Sequence, residues 1–106
     1  MEKNNIRKTD YYIEWFDNLK DEAIKDRLET RVRRAKNGNF GEVESVGDGV
    51  YEMKFKKLGY RLYYCQRGKN IYLLLIGGDK NTKKEQTRDI ERAKEIKREA
   101  EETNKW

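Results

Sequence analysis

The sequence predicts an α+β fold of a single domain spanning residues 1–106. Two N-terminal helices pack on a three- to four-stranded antiparallel sheet, and a C-terminal helix follows. Three observations carry this. Apolar residues recur with helical spacing before Asn37, with strand character after Glu42, and with helical spacing again after Gly77-Gly78. Thr9 can cap a first helix whose Tyr12, Trp15, Phe16 and Leu19 form one stripe. Asp21 can cap a second, with Ile24, Leu28, Val32 and Ala35 inward and Asn37-Gly38 as its stop. Three β-rich runs follow, Val50–Phe55, Tyr60–Gln66 and Ile71–Ile76, and Val43–Val46 is a candidate extra edge before the Gly47-Asp48-Gly49 turn. The short separators suit antiparallel hairpins. Asn81 or Thr82 can start the last helix, Thr82-x-x-Glu85 fits a capping box, and Ile90, Ala93, Ile96 and Ala100 mark its inner face. Residues 1–8 and 101–106 are expected to fray.

Although 42% of residues are charged, twelve aromatics and the clear periodicities argue against disorder. No apolar run approaches the roughly 18 residues that span a bilayer, and MEKNNIRK is not followed by a signal core, so a cytoplasmic protein is expected. The absence of histidine excludes metal-histidine sites and Ser/His or Cys/His nucleophile pairs, and Cys65 is the one cysteine. No cofactor and no metal site are expected. Charge is uneven: residues 1–53 carry net −2 and residues 54–106 net +7. Residues 54–84 hold nine cations against the single acid Asp79, either a footprint for a polyanion or a lysine-solvated surface.

The simplest register around the Lys56–Gly59 turn sets Phe55 opposite Tyr60, which pairs Met53 with Leu62 and Tyr51 with Tyr64 on the side facing the helices. Trp15, Phe16, Tyr51 and Tyr64 are then core residues. The other side receives Lys54 opposite Arg61, Glu52 opposite Tyr63 and Val50 opposite Cys65. Opposed cations repel, and an anion lying over both would relieve the repulsion; alternatively Glu52 neutralises them on a solvated face. Were the anion an RNA phosphate, Arg61 has the planar fork for it, Lys54 and Lys80 offer compact charges whose pKa neighbouring cations could lower, and Tyr63 could orient or stack on a base.

The phrases GNFGEV, VGDGV, GYRLYY and LLIGGDK, in that order, with the WF…L helix and DRLETRVRRAKNG, resemble the addiction-module killer proteins, a HigB-like branch of the RelE/ParE toxin superfamily. The resemblance covers most of the chain and implies a RelE-like toxin fold. It further implies the toxin of a type II toxin–antitoxin system: a metal-independent, ribosome-dependent endoribonuclease that cleaves A-site messenger RNA by 2′-hydroxyl attack and so inhibits translation. Arg61, the arginine of the GYR turn, matches the family's holder of the scissile phosphate, Lys54 its strand lysine, and Lys80 the basic residue after the last strand. Lys83, Lys84 and Arg88 are weaker matches for that neighbourhood, and with Lys56, Lys57 and Tyr63 they are candidate RNA contacts. Glu52 stands where RelE-like relatives carry a second lysine, and Thr87 or Arg88 where they carry a tyrosine; of the two roles open to Glu52, base or anchor of Lys54, the anchor is expected, because an exposed carboxylate between cations is a weak base. Implied partners are a cognate helix-turn-helix antitoxin (HigA-like), the ribosome and messenger RNA, with no membrane. The competing functions are a ParE-like inhibitor of DNA gyrase and a decayed toxin that only binds RNA.

Overall fold

A computed structural model describes residues 3–55, 57–79 and 82–103. In chain order the elements are β1 (Asn5–Lys8), α1 (Asp10–Asp17), α2 (Glu22–Lys36), β2 (Val43–Gly47), β3 (Val50–Phe55), β4 (Tyr60–Gly68), β5 (Ile71–Gly78) and α3 (Lys83–Thr103). The strands make one sheet in the order β1-β5-β4-β3-β2. Neighbours from β2 to β5 are antiparallel, whereas β1 runs parallel to β5, with Asn5 beside Ile71 and Lys8 beside Leu74. The sheet is therefore five-stranded and mixed, and part of the N-terminal segment expected to fray is a strand. Its NIRK sequence has one apolar residue and no readable alternation; the free edge of β5 supplies the hydrogen bonds that order it.

The caps fall where side-chain chemistry puts them. The Thr9 hydroxyl accepts a bond from the Tyr12 N–H at 3.0 Å and donates to the Leu75 carbonyl at 2.6 Å, so one residue starts α1 and ties it to β5. Asp21 Oδ1 accepts from the N–H groups of Ala23 and Ile24 to start α2. The Glu85 N–H donates to the Thr82 hydroxyl at the start of α3. That helix continues to Thr103, beyond the point where fraying was expected.

Helices cover both faces of the sheet. On one, Tyr12, Leu28, Val32 and Ala35 of α1 and α2 pack on Met53, Phe55, Leu62, Tyr64 and Leu74, with Trp15 and Phe16 partly buried at the margin. On the other, Ala93, Ile96 and Ala100 of α3 lie on Val50, Tyr63, Cys65, Leu73 and Leu75. Tyr51 stacks on Tyr64 at 5.5 Å between ring centroids, yet it is 37% exposed because only the short edge strand β2 lies beyond it. Tyr64 alone of that pair is core. The Gly77-Gly78 pair at the end of β5 admits both layers: the Trp15 ring of α1 occupies the space of a Gly77 side chain, and the Asp89 carboxylate of α3 that of a Gly78 side chain.

Candidate active site

The hairpin register is the expected one throughout, from Val50 opposite Cys65 to Phe55 opposite Tyr60, and it sets Lys54 directly across from Arg61. Alternation then sends both cations to the face that carries α3. That face is open at its rim, where the Lys54 side chain is 31% exposed, and closed further in. Glu52, expected to be exposed between the cations, is 1% exposed, closed over by α3.

The acids divide the cations differently from expectation. Lys54 Nζ pairs with Glu44 Oε1 at 2.7 Å, reaching across to β2, where Glu44 is the cross-strand neighbour of Glu52. Glu52 pairs with Arg61 instead, its Oε2 lying 3.4 Å from Arg61 Nε. Glu44 thus anchors Lys54 and Glu52 anchors Arg61, because the inward turn of Glu52 takes its carboxylate under α3. The hydrogen bond to Glu44 raises the pKa of Lys54, and the same bond lowers that of Glu44. This reverses the expectation of a lysine made more acidic by its neighbours.

Glu52 Oε2 also accepts hydrogen bonds from the Tyr63 hydroxyl at 3.1 Å and Gln86 Nε2 at 2.8 Å. Tyr63 is fully buried; burial and then the adjacent Glu52 push its phenol well above the ordinary tyrosine range, so it serves as a donor. Its ring has no free face for a base, which corrects the expectation of RNA contact. Arg61 keeps one feature that this network does not consume. Its Nη1 is buried and, among the described residues, has no hydrogen-bond partner, while the side chain as a whole is 23% exposed. A buried cationic donor without an acceptor is costly, and an anionic oxygen would satisfy it.

Behind Lys54, α2 contributes Arg31. Its guanidinium donates to the carbonyls of Phe40 at 3.1 Å, Glu42 at 2.9 Å and Lys54 at 2.6 Å, and lies over the Phe55 ring at 4.7 Å. One side chain thus staples α2, the following loop and β3 at the residue that presents Lys54. Gly41, at φ +71°, leaves the space this guanidinium fills. A groove of about 520 Å³ opens beside it, lined among others by Arg27, Arg34, Lys54 and Lys57.

Of the other expected contacts, Lys57, Lys83, Lys84 and Arg88 are exposed, with Lys83 and Lys84 within one turn of Gln86 at the start of α3. Lys56 and Lys80 lie outside the described residues. Among the described residues no group of three or more acidic or cysteine side chains is arranged to hold a metal, and no helix is long and apolar enough to cross a membrane. Cys65 is buried under α3, and burial pushes its thiol up to about 12. Arg31 and Gln86 escaped sequence reasoning. Gln86 had a signal: it continues the inner stripe Ile90, Ala93, Ile96 backward by one turn, so a polar side chain there must face the sheet. Arg31 sits between Leu28 and Val32 and had none beyond the glycine ten residues on.

Residues 14–98 match the family described as phage derived protein Gp49-like (DUF891). An uncharacterized protein of Haemophilus influenzae is 37% identical over 90 residues, a stretch that covers 84% of this chain and 88% of that protein. Among solved structures, the isolated RelE toxin of E. coli superposes with a TM-score of 0.64 at 15% identity, over 84% of this chain and 97% of that one. At that identity the likeness concerns the fold.

Proposed function

The chain belongs to the phage-derived Gp49-like family and shares the fold of the RelE toxin, and from these premises we propose that it is the toxin of a type II toxin–antitoxin pair, a HigB-like endoribonuclease that cuts messenger RNA in the ribosomal A site. The observation that carries the proposal is the cross-strand pair of Lys54 and Arg61, with Arg61 held by a buried carboxylate and one guanidinium nitrogen left without an acceptor among the described residues.

In this mechanism the 2′-oxygen of the RNA attacks the adjacent phosphorus and the bond to the 5′-oxygen breaks. The products are a 2′,3′-cyclic phosphate and a 5′-hydroxyl; the 2′-hydroxyl gives up its proton and the leaving oxygen takes one up. Arg61, whose side chain is 23% exposed, donates from its guanidinium to a non-bridging oxygen, and Lys54 adds a second positive charge as negative charge builds on the phosphoryl group. Lys54 works as a charge and not as the base, because Glu44 holds its ammonium protonated. Lys80 is proposed as a third cation at the scissile phosphate, and Lys56, Lys57, Lys83, Lys84 and Arg88 as holders of the flanking strand. With these cations neutralising the phosphate, no metal is needed. A helix-turn-helix antitoxin of the HigA type and the cytoplasmic ribosome complete the proposed setting.

The test is primer extension on messenger RNA in a purified translation system, with ribosomes present or omitted, comparing the natural chain with Arg61→Ala. Ribosome-dependent cuts that fall by about a hundredfold or more in the variant are expected, the size of loss that removing one donor to a developing anion produces. Translation arrest without cuts would sink the endonuclease, and gyrase inhibition that survives Arg61→Ala would put a ParE-like inhibitor in its place.

A further inference from the structure

We infer that Gln86 and Tyr63 are positioning residues for Arg61, acting through the buried carboxylate of Glu52; this rests on Arg61 being the phosphate-binding group proposed above. Glu52 Oε2 accepts hydrogen bonds from Gln86 Nε2 at 2.8 Å and the Tyr63 hydroxyl at 3.1 Å, and it forms an ion pair with Arg61 Nε at 3.4 Å. The two shorter contacts come from neutral groups fixed by the fold. Tyr63 is fully buried on β4, two residues from Arg61, and Gln86 is held in the first turns of α3 by the helix beginning at Thr82. They set where the carboxylate sits, and the carboxylate sets the guanidinium through Nε.

The geometry explains why the guanidinium is held by this edge. A guanidinium has five N–H donors, and a carboxylate beside Nε leaves the four on the Nη groups uncommitted by that contact. Bound through Nε, it is steadied at the root of the fork while Nη1 stays without a partner among the described residues. A buried charge pair is retained at a desolvation cost, and the two neutral donors offset part of that cost by hydrogen-bonding the carboxylate at Oε2. Two elements distant in sequence, β4 and α3, therefore converge on one carboxylate oxygen to aim one side chain.

The inference is tested with Tyr63→Phe, which deletes only a hydroxyl from a buried ring, and Gln86→Leu, which removes the amide from a half-buried position. Circular dichroism melts identify the folded range of each. In the free protein, the Arg61 Nε–Hε resonance, assigned by its loss in Arg61→Lys, is expected to be sharp and slow to exchange with water, and to broaden or vanish in either variant. In the translation assay each variant is expected to lose about tenfold in cleavage, as for loss of one hydrogen bond to a charged group, and to add no loss when combined with Arg61→Ala. An Arg61 resonance unchanged in both variants, or losses that multiply in full with Arg61→Ala, would overturn the inference. If the natural chain makes no cuts, the endonuclease proposal has failed on its own, and the Arg61 resonance still decides whether this network positions the guanidinium.

Discussion

Under α1 and α2 the sheet offers Met53, Phe55, Leu62 and Tyr64 to Tyr12, Leu28 and Val32; under α3 it offers Val50, Cys65 and Leu75 to Ala93, Ile96 and Ala100, and then Glu52 with Arg61. The first face is filled by large side chains whose burial contributes roughly 1.5–3 kcal/mol apiece. On the second, α3 contributes Ala93 and Ala100 beside Ile96, and its first turns bring Gln86 to a buried carboxylate. Both faces carry an apolar core, and the proposed chemistry lies on the α3 face alone; the hairpin of β3 and β4 serves both faces because alternate residues face opposite ways.

Four measurements can break or sharpen that division. The largest effect concerns Cys65, at the centre of the α3 face. With its thiol pushed from about 9 to about 12, the native chain holds about a thousandfold less thiolate at mildly alkaline pH. Labelling by a disulfide reagent is expected to be slow in the native chain and rapid in denaturant; equally fast labelling in both would mean that α3 is not docked. Next, Leu28→Ala, at a site with no exposure on the α1–α2 face, is expected to cost about 3 kcal/mol in urea unfolding while leaving cleavage by the folded fraction unchanged. A cleavage loss in folded Leu28→Ala would end the separation of roles.

Arg31→Met tests the place where the faces communicate. It removes three donors to backbone carbonyls yet keeps a chain to cover Phe55, so a stability loss of about 2 kcal/mol is expected, together with weaker cleavage as Lys54 loses its fixed backbone. Unaltered cleavage would show that Lys54 does not depend on α2. The smallest effect belongs to Glu44→Gln at the open rim. Glu44 has a lowered pKa, so its contribution to stability is present above the carboxyl's unfolded value and is lost as pH falls through its folded one. Lys54 has a raised pKa, so its contribution is present below the lysine's unfolded value and is lost as pH rises through its folded one. Between those limits the pair is stabilising, and salt screens it. In Glu44→Gln the Lys54 side-chain resonance is expected to titrate closer to the ordinary lysine range; an unmoved titration would show that the ion pair does not form in solution.

Where local signals were strong, the sequence was sufficient. Thr9 and Asp21 named their caps, the four-residue turn set the β3–β4 register to the residue, and that register alone brought Lys54 and Arg61 face to face. The failures share a cause. β1 was invisible because four mostly polar residues become a strand only when β5 offers an edge, and Glu52 was misplaced because alternation says which face a side chain takes and not what covers that face.

The chain by itself determined the order of elements from α1 onward, the apolar stripe of each helix and the parity of the hairpin, all of which depend on neighbours within a few residues. Only the tertiary structure decided that α3 lies over Glu52, that Glu44 and not Glu52 holds Lys54, and that Arg31 and Gln86 reach the Lys54 carbonyl and the Glu52 carboxylate. Those contacts join residues 10 to 34 positions apart, and no local period records them. A carboxylate's partner is set by which donors the packed helix carries into reach, and that is a property of the assembled layers.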